Sequence, residues 1–139
     1  MKRKQIKELP FVSPLGKTAS FYVPAAKIND SRYGQGGRRP SELLEEFFVD
    51  NFGGFTHEQS QIKGRWVSDN GQMVFTDEHQ RYEVSFAGKI KTAEFFAFLS
   101  DMCRRLEEGS IYVTYGGDSW LVRPDEPRPG DSAAPADEA

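Results

Sequence analysis

Gly64-Arg65-Trp66-Val67-Ser68-Asp69-Asn70-Gly71, running on to Tyr82-Glu83-Val84-Ser85-Phe86, decides how this chain folds. Asn-Gly is the strongest short-range hairpin signal, because both central residues of a type I′ turn take positive φ. A strand over 62–67 must therefore be answered by a return strand over 73–86. In the return strand Tyr82, Val84 and Phe86 fall on one face and Arg81, Glu83 and Ser85 on the other. The alternation breaks near Asp77, which predicts a bulge there. The polar run 56–61 ahead of the hairpin reads as a connection.

On either side of the hairpin the period changes from two to 3.6. Upstream, Leu43, Leu44, Phe47, Phe48 and Phe52 recur at helical spacing behind Ser41, with Glu42, Glu45 and Glu46 near the positive end of the helix dipole and Gly53-Gly54 as the stop. Downstream, Thr92 is the expected N-cap of the clearest helix in the chain. Phe95, Phe96, Leu99, Met102, Cys103 and Leu106 make its apolar stripe, Arg104 and Arg105 suit its last turn, and Gly109 ends it. Further out lie a β-prone run at 18–23 stopped by Pro24, a Gly- and Arg-rich loop at 29–40, a strand at 111–115 and a short return strand at 119–122 after Gly116-Gly117. The order strand, helix, strand, strand, helix, strand is that of an α+β, ferredoxin-like split βαβ sandwich: an antiparallel sheet with two helices on one face.

The chain has 139 residues, enough for one domain, and an aromatic share of 13%. Its 18 basic and 21 acidic residues are segregated. Lys2, Arg3, Lys4, Lys7 and Lys17 stand against Glu8 in a basic N-terminal arm, 1–17. A single domain is expected over 18–123, and an acidic tail, 124–139, carries no large apolar side chain and is expected to be disordered. No apolar run is long enough for a membrane span, no export signal follows the basic start, and a single cysteine forms no disulfide framework, so a cytoplasmic protein is expected.

The string Phe52-Gly53-Gly54-Phe55-Thr56, with Gly64-Arg65-Trp66, Asn70-Gly71, Asp77-Glu78 and Tyr82-Glu83-Val84, resembles a pattern shared by small bacterial, plasmid and phage proteins. The resemblance covers about residues 18–122 and implies a compact α+β fold. No activity is established for that family, so it carries over no catalytic residue.

Three clusters bear on function. His57-Glu58 and Asp77-Glu78-His79, with Arg65, would supply acid, base or ligand groups if the fold brought them together, although no spacing such as HExxH is present. Gly36-Gly37-Arg38-Arg39 and Gly53-Gly54 match neither a P-loop nor GxGxxG and read as loop and helix cap, so no cofactor or metal is implied. Trp66, Tyr82, Tyr112 and Trp120 lie in predicted strands, where an open aromatic face suits a protein partner or self-association. Nucleic acid is the weaker alternative, because no RNA-recognition motif is present and the middle of the chain is acidic. Cys103 lies on a helix's apolar stripe and reads as an inert buried thiol. The expectation is a noncatalytic binding module that engages another protein or itself. The alternative is a small enzyme or ligand-binding protein with a His/carboxylate site near 57–58 and 77–79.

Overall fold

A computed structural model of the chain describes residues 2–67 and 74–125. Its elements are α1 (Arg3–Lys7), β1 (Thr18–Pro24), α2 (Ala25–Ile28), a 3₁₀ turn (Ser31–Tyr33), α3 (Pro40–Phe52), β2 (Thr56–Val67), β3 (Val74–Ser85), α4 (Thr92–Arg105), β4 (Ile111–Tyr115) and β5 (Asp118–Val122). The strands form one five-stranded antiparallel sheet in the order β2-β3-β1-β4-β5. With α3 crossing from β1 to β2 and α4 from β3 to β4, this is the ferredoxin-like arrangement with a fifth strand added at the β4 edge.

The Asn70-Gly71 turn lies outside the described residues, but β2 and β3 leave it antiparallel, with Val67 opposite Val74, as a hairpin requires. Alternation along the strands decides the core. Ala19, Phe21 and Val23 of β1, Tyr82 and Val84 of β3, and Ile111 and Val113 of β4 all point to the helix-covered face and are buried. Against them pack Leu44, Phe48 and Phe52 of α3 and Phe95, Leu99 and Met102 of α4. Phe48 lies 5.7 Å from Phe21 and 6.2 Å from Phe95 between ring centroids, so the two helices and the sheet meet in one aromatic cluster.

Several boundaries differ from expectation. α3 starts at Pro40 rather than behind Ser41, because proline's fixed φ and missing N–H suit the first helical position; the Arg39 N–H is satisfied by Glu42 Oε1 at 2.8 Å. Thr92 is inside α4, where its hydroxyl shares a 3.1 Å hydrogen bond with that of Tyr115 and ties the helix start to β4. α4 ends before Gly109, with Glu107 taking the left-handed conformation. Gly53 does cap α3, at φ 87°. The basic arm contains the short helix α1, and its far end is pinned to the sheet: Phe86 N donates to Lys17 O at 2.8 Å and Ala87 N to Leu15 O. Of the expected tail, 126–139 lies outside the described residues, and Asp125 O accepts from Arg104 Nη2 at 2.9 Å.

The irregularity in the hairpin is on the other strand. Residues 74–79 of β3 pair in unbroken register, Gly64 opposite Asp77 and Ile62 opposite His79, and the shift falls between Glu58 and Ile62 of β2. The run 56–61, read as a connection, is strand carrying the bulge. Among the described residues, no helix is long and apolar enough to cross a membrane.

Candidate functional site

The bulge has a polar anchor. Gln80 points to the covered face and is almost fully buried. Its Nε2 donates to the Gln59 carbonyl at 3.3 Å, inside the bulge, and its Oε1 lies 2.8 Å from His57 Nε2. An amide oxygen only accepts, so this arrangement puts a proton on His57 Nε2 and turns Nδ1 the other way. Nδ1 lies 3.6 Å from Glu45 Oε2, the same oxygen that accepts the Tyr82 hydroxyl at 3.1 Å. The His57 ring stacks on that of Tyr82, its cross-strand partner, at 4.0 Å and 11°.

Glu45, His57, Gln80 and Tyr82 thus form one connected polar cluster at the β2 end of the aromatic core. Its members come from a helix and two strands. The His57 side chain is 7% exposed and that of Glu45 35%, so the carboxylate is the member that meets solvent while the imidazole stands behind it. Burial, followed by the charge of Glu45 and the hydrogen bond to it, pushes the Tyr82 hydroxyl well above the ordinary tyrosine range, so it remains a protonated donor. A partly exposed carboxylate held by a tyrosine donor presents an oriented acceptor to solvent.

The expected site is rearranged by this geometry. His57 belongs to the cluster, but Glu58 points to the open face, where its carboxylate lies 3.5 Å from Arg81. His79 occupies the opposite sheet face from His57, since its neighbour Gln80 points to the core; Glu78 sits opposite Lys63. The side chains of Arg65, Trp66 and Asp77 lie outside what the structure describes; in register Arg65 faces Thr76 and Asp77 faces Gly64. The His57 and 77–79 segments therefore do not converge, because the hairpin register puts Tyr82, not His79, across from His57. Among the described residues, no group of three or more His, Cys, Asp or Glu side chains could hold a metal ion.

The aromatic set divides in the same way. Tyr82 is fully buried in the core rather than on an exposed face, and Trp120 lies on the helix side of edge strand β5, its Nε1 donating to the Tyr115 carbonyl at 3.1 Å. Tyr112 is on the open face, stacked with Tyr22 at 6.0 Å and hydrogen-bonded to Ser119 at 2.8 Å. Cys103 is buried, its thiol directed to the Glu108 carbonyl at 3.2 Å.

A groove of about 320 Å³ runs between the outer sides of α3 and α4, floored by Phe47 and Phe98 stacked at 3.9 Å. Glu46 in its rim is paired with Arg38 at 2.6 Å and Asp101 with Arg104 at 3.0 Å, while Arg105 is held to the Gly34 carbonyl at 3.1 Å. It offers apolar stacking beside these pairs and Asp50, without the convergent groups of the Glu45 cluster.

No family model and no curated protein matches the chain. Among solved structures, it is similar to a phage SAM lyase in complex with S-methyl-5′-thioadenosine, with a TM-score of 0.54, 10% identity, and coverage of 83% of this chain and 95% of that one. A phage SAM lyase in the apo state aligns with a TM-score of 0.47 at 12% identity, over 84% and 98% of the two chains. At this identity the first likeness establishes the fold and transfers no residue role. It does overturn the expectation of a noncatalytic binding module, since the architecture on which that expectation rested is also that of an enzyme.

Glu45 and Gln80 are the residues that sequence reasoning missed. Glu45 was grouped with the acids of the first helical turns, but it directly follows Leu44 and lies three before Phe48, on the border of the buried stripe. That position is the signal that could have found it. Gln80 had one too: it is a polar residue in phase with Tyr82, Val84 and Phe86.

Proposed function

We propose that this chain is a small enzyme or ligand-binding protein that takes a sulfonium or thioether nucleoside of the S-adenosylmethionine class, with Glu45, His57 and Tyr82 as its reactive cluster. The observation that carries the reading is the meeting of Tyr82 Oη and His57 Nδ1 at one oxygen of a partly exposed carboxylate. Buried polar groups are retained in an aromatic core only when satisfied, and here their satisfaction leaves one acid facing solvent. The fold likeness supports this substrate class, since a phage SAM lyase of similar fold has been solved in complex with S-methyl-5′-thioadenosine. A carboxylate suits a sulfonium, since it attracts the cation and releases the neutral thioether formed when the substrate's own carboxylate displaces sulfur from the γ-carbon, the C–S electron pair going to sulfur and the remaining fragment closing to a lactone. In this role Glu45 binds and orients, Tyr82 holds the carboxylate in place, and the His57 ring, stacked on Tyr82, backs the cluster.

The test is incubation of the purified protein with S-adenosylmethionine, following S-methyl-5′-thioadenosine by chromatography, together with thermal unfolding in the presence of that product. The expected result is product formation that Glu45→Gln removes, and stabilisation of about 2.7 kcal/mol at a hundredfold excess over the dissociation constant. A chain that forms no product and is not stabilised by either nucleoside would refute the proposal.

A further inference from the structure

The two edges of the sheet are built differently. β2, at one edge, carries the bulge between Glu58 and Ile62, and exposes Glu58 and Lys63 along its length. Bulges and charges are the usual means by which an edge strand is kept from pairing with another chain. β5, at the other edge, has no bulge, and its one charge is Asp118 at its first position. Its five residues pair with β4 in unbroken register, and no charge or proline lies between Asp118 and Val122. Among the described residues no strand lies beyond it, so the outer row of its backbone N–H and C=O groups is open. Trp120 and Leu121 are 48% and 49% exposed, one on each face.

We propose that β5 pairs antiparallel with β5 of a second copy about a twofold axis at Trp120, joining two sheets into one. This goes beyond the reaction proposed above and does not depend on it. Three features favour a second copy as the occupant. A twofold places Trp120 opposite Trp120 and Ser119 opposite Leu121, so each apolar side chain gains cover on its own face while the sheet faces remain in phase. The strand has its acid, Asp118, at one end and Arg123 just past the other, so antiparallel self-pairing sets acidic beside basic ends where a parallel pair would set like beside like. The open backbone row needs only another extended strand, which the second copy presents in the same state. A five-residue ladder buries less than the roughly 800 Å² per partner of a standard interface, so the dimer is in concentration-dependent exchange with monomer.

Sedimentation of the full chain from micromolar to millimolar concentration tests this. A monomer–dimer equilibrium is expected, with Leu121→Lys raising the dissociation constant about tenfold or more, since it sets like charges into the paired edge. Leu121 is half-exposed, so the variant should retain the wild-type circular dichroism spectrum. Independently of that variant, Trp120→Cys should give a covalent dimer under mild oxidation, and Ser119→Cys should not, because only the axial position meets its own copy at disulfide distance. Cys103, being buried, leaves little background. A chain monomeric throughout, a dimer indifferent to Leu121→Lys, or a failure of Trp120→Cys to cross-link would each overturn the pairing.

Discussion

The covered and open faces of the same sheet solve opposite problems. On the covered face, Phe21, Phe48, Phe86 and Phe95 interlock at centroid separations from 5.2 to 6.2 Å, and the Glu45–His57–Gln80–Tyr82 cluster enters the core on its own hydrogen bonds. On the open face, polar groups pair at the surface: Ser20 with Thr114 across strands at 2.7 Å, and Arg81 with Glu83 of its own strand at 2.6 Å and with Glu58 of the next at 3.5 Å. The comparison teaches that polarity costs little where water can replace a lost partner. Where it cannot, every partner must be supplied, and the covered-face cluster is for that reason the better functional candidate.

The largest expected effect tests the covered face. Phe48→Ala, which removes a ring from the centre of the cluster, should destabilise by about 3–5 kcal/mol in chemical denaturation, and Leu99→Ala by about 2–5. A cost below about 1 kcal/mol for either would show that the face is not a packed core. Tyr82→Phe should come next, at about 1–2 kcal/mol, because it deletes the hydroxyl bound to Glu45 but leaves the ring stack intact.

The same tyrosine gives the comparison a pH axis. Its folded pKa is raised, so the native state keeps a proton that the unfolded chain releases above the ordinary tyrosine value of 10.0. The unfolded state then binds fewer protons, and stability must fall as pH rises beyond about 10. Tyr82→Phe should flatten this alkaline loss; an unchanged slope would mean that other groups carry it.

The smallest effects belong to the open face. Ser20→Ala should cost less than about 1 kcal/mol, because Thr114 is only partly buried and water can replace the lost hydroxyl. Glu58→Ala should stay within about 0.5 kcal/mol, as is usual for an exposed ion pair, and should not alter thioadenosine binding. Loss of binding in Glu58→Ala, measured by calorimetry, would move the site to the open face and reverse the comparison.

The sequence by itself determined the element order and the buried faces. Phe48, Leu99 and Val84 could be assigned to buried faces because a period of 3.6 or 2 is a local property of a segment, and a one-sided apolar pattern has one place to go. Even the fifth strand was legible, from Gly116-Gly117 and the alternation that follows. What only the tertiary structure decided is which residues meet. A bulge belongs to a pair of strands, so the break in alternation at Asp77 could not say that the extra residues lie in β2. That shift sets His57 opposite Tyr82 instead of Val84, and the packing of α3 brings Glu45 to both. Chemistry depends on contacts between segments far apart in the chain, and register and helix packing, which create those contacts, are written in no single segment.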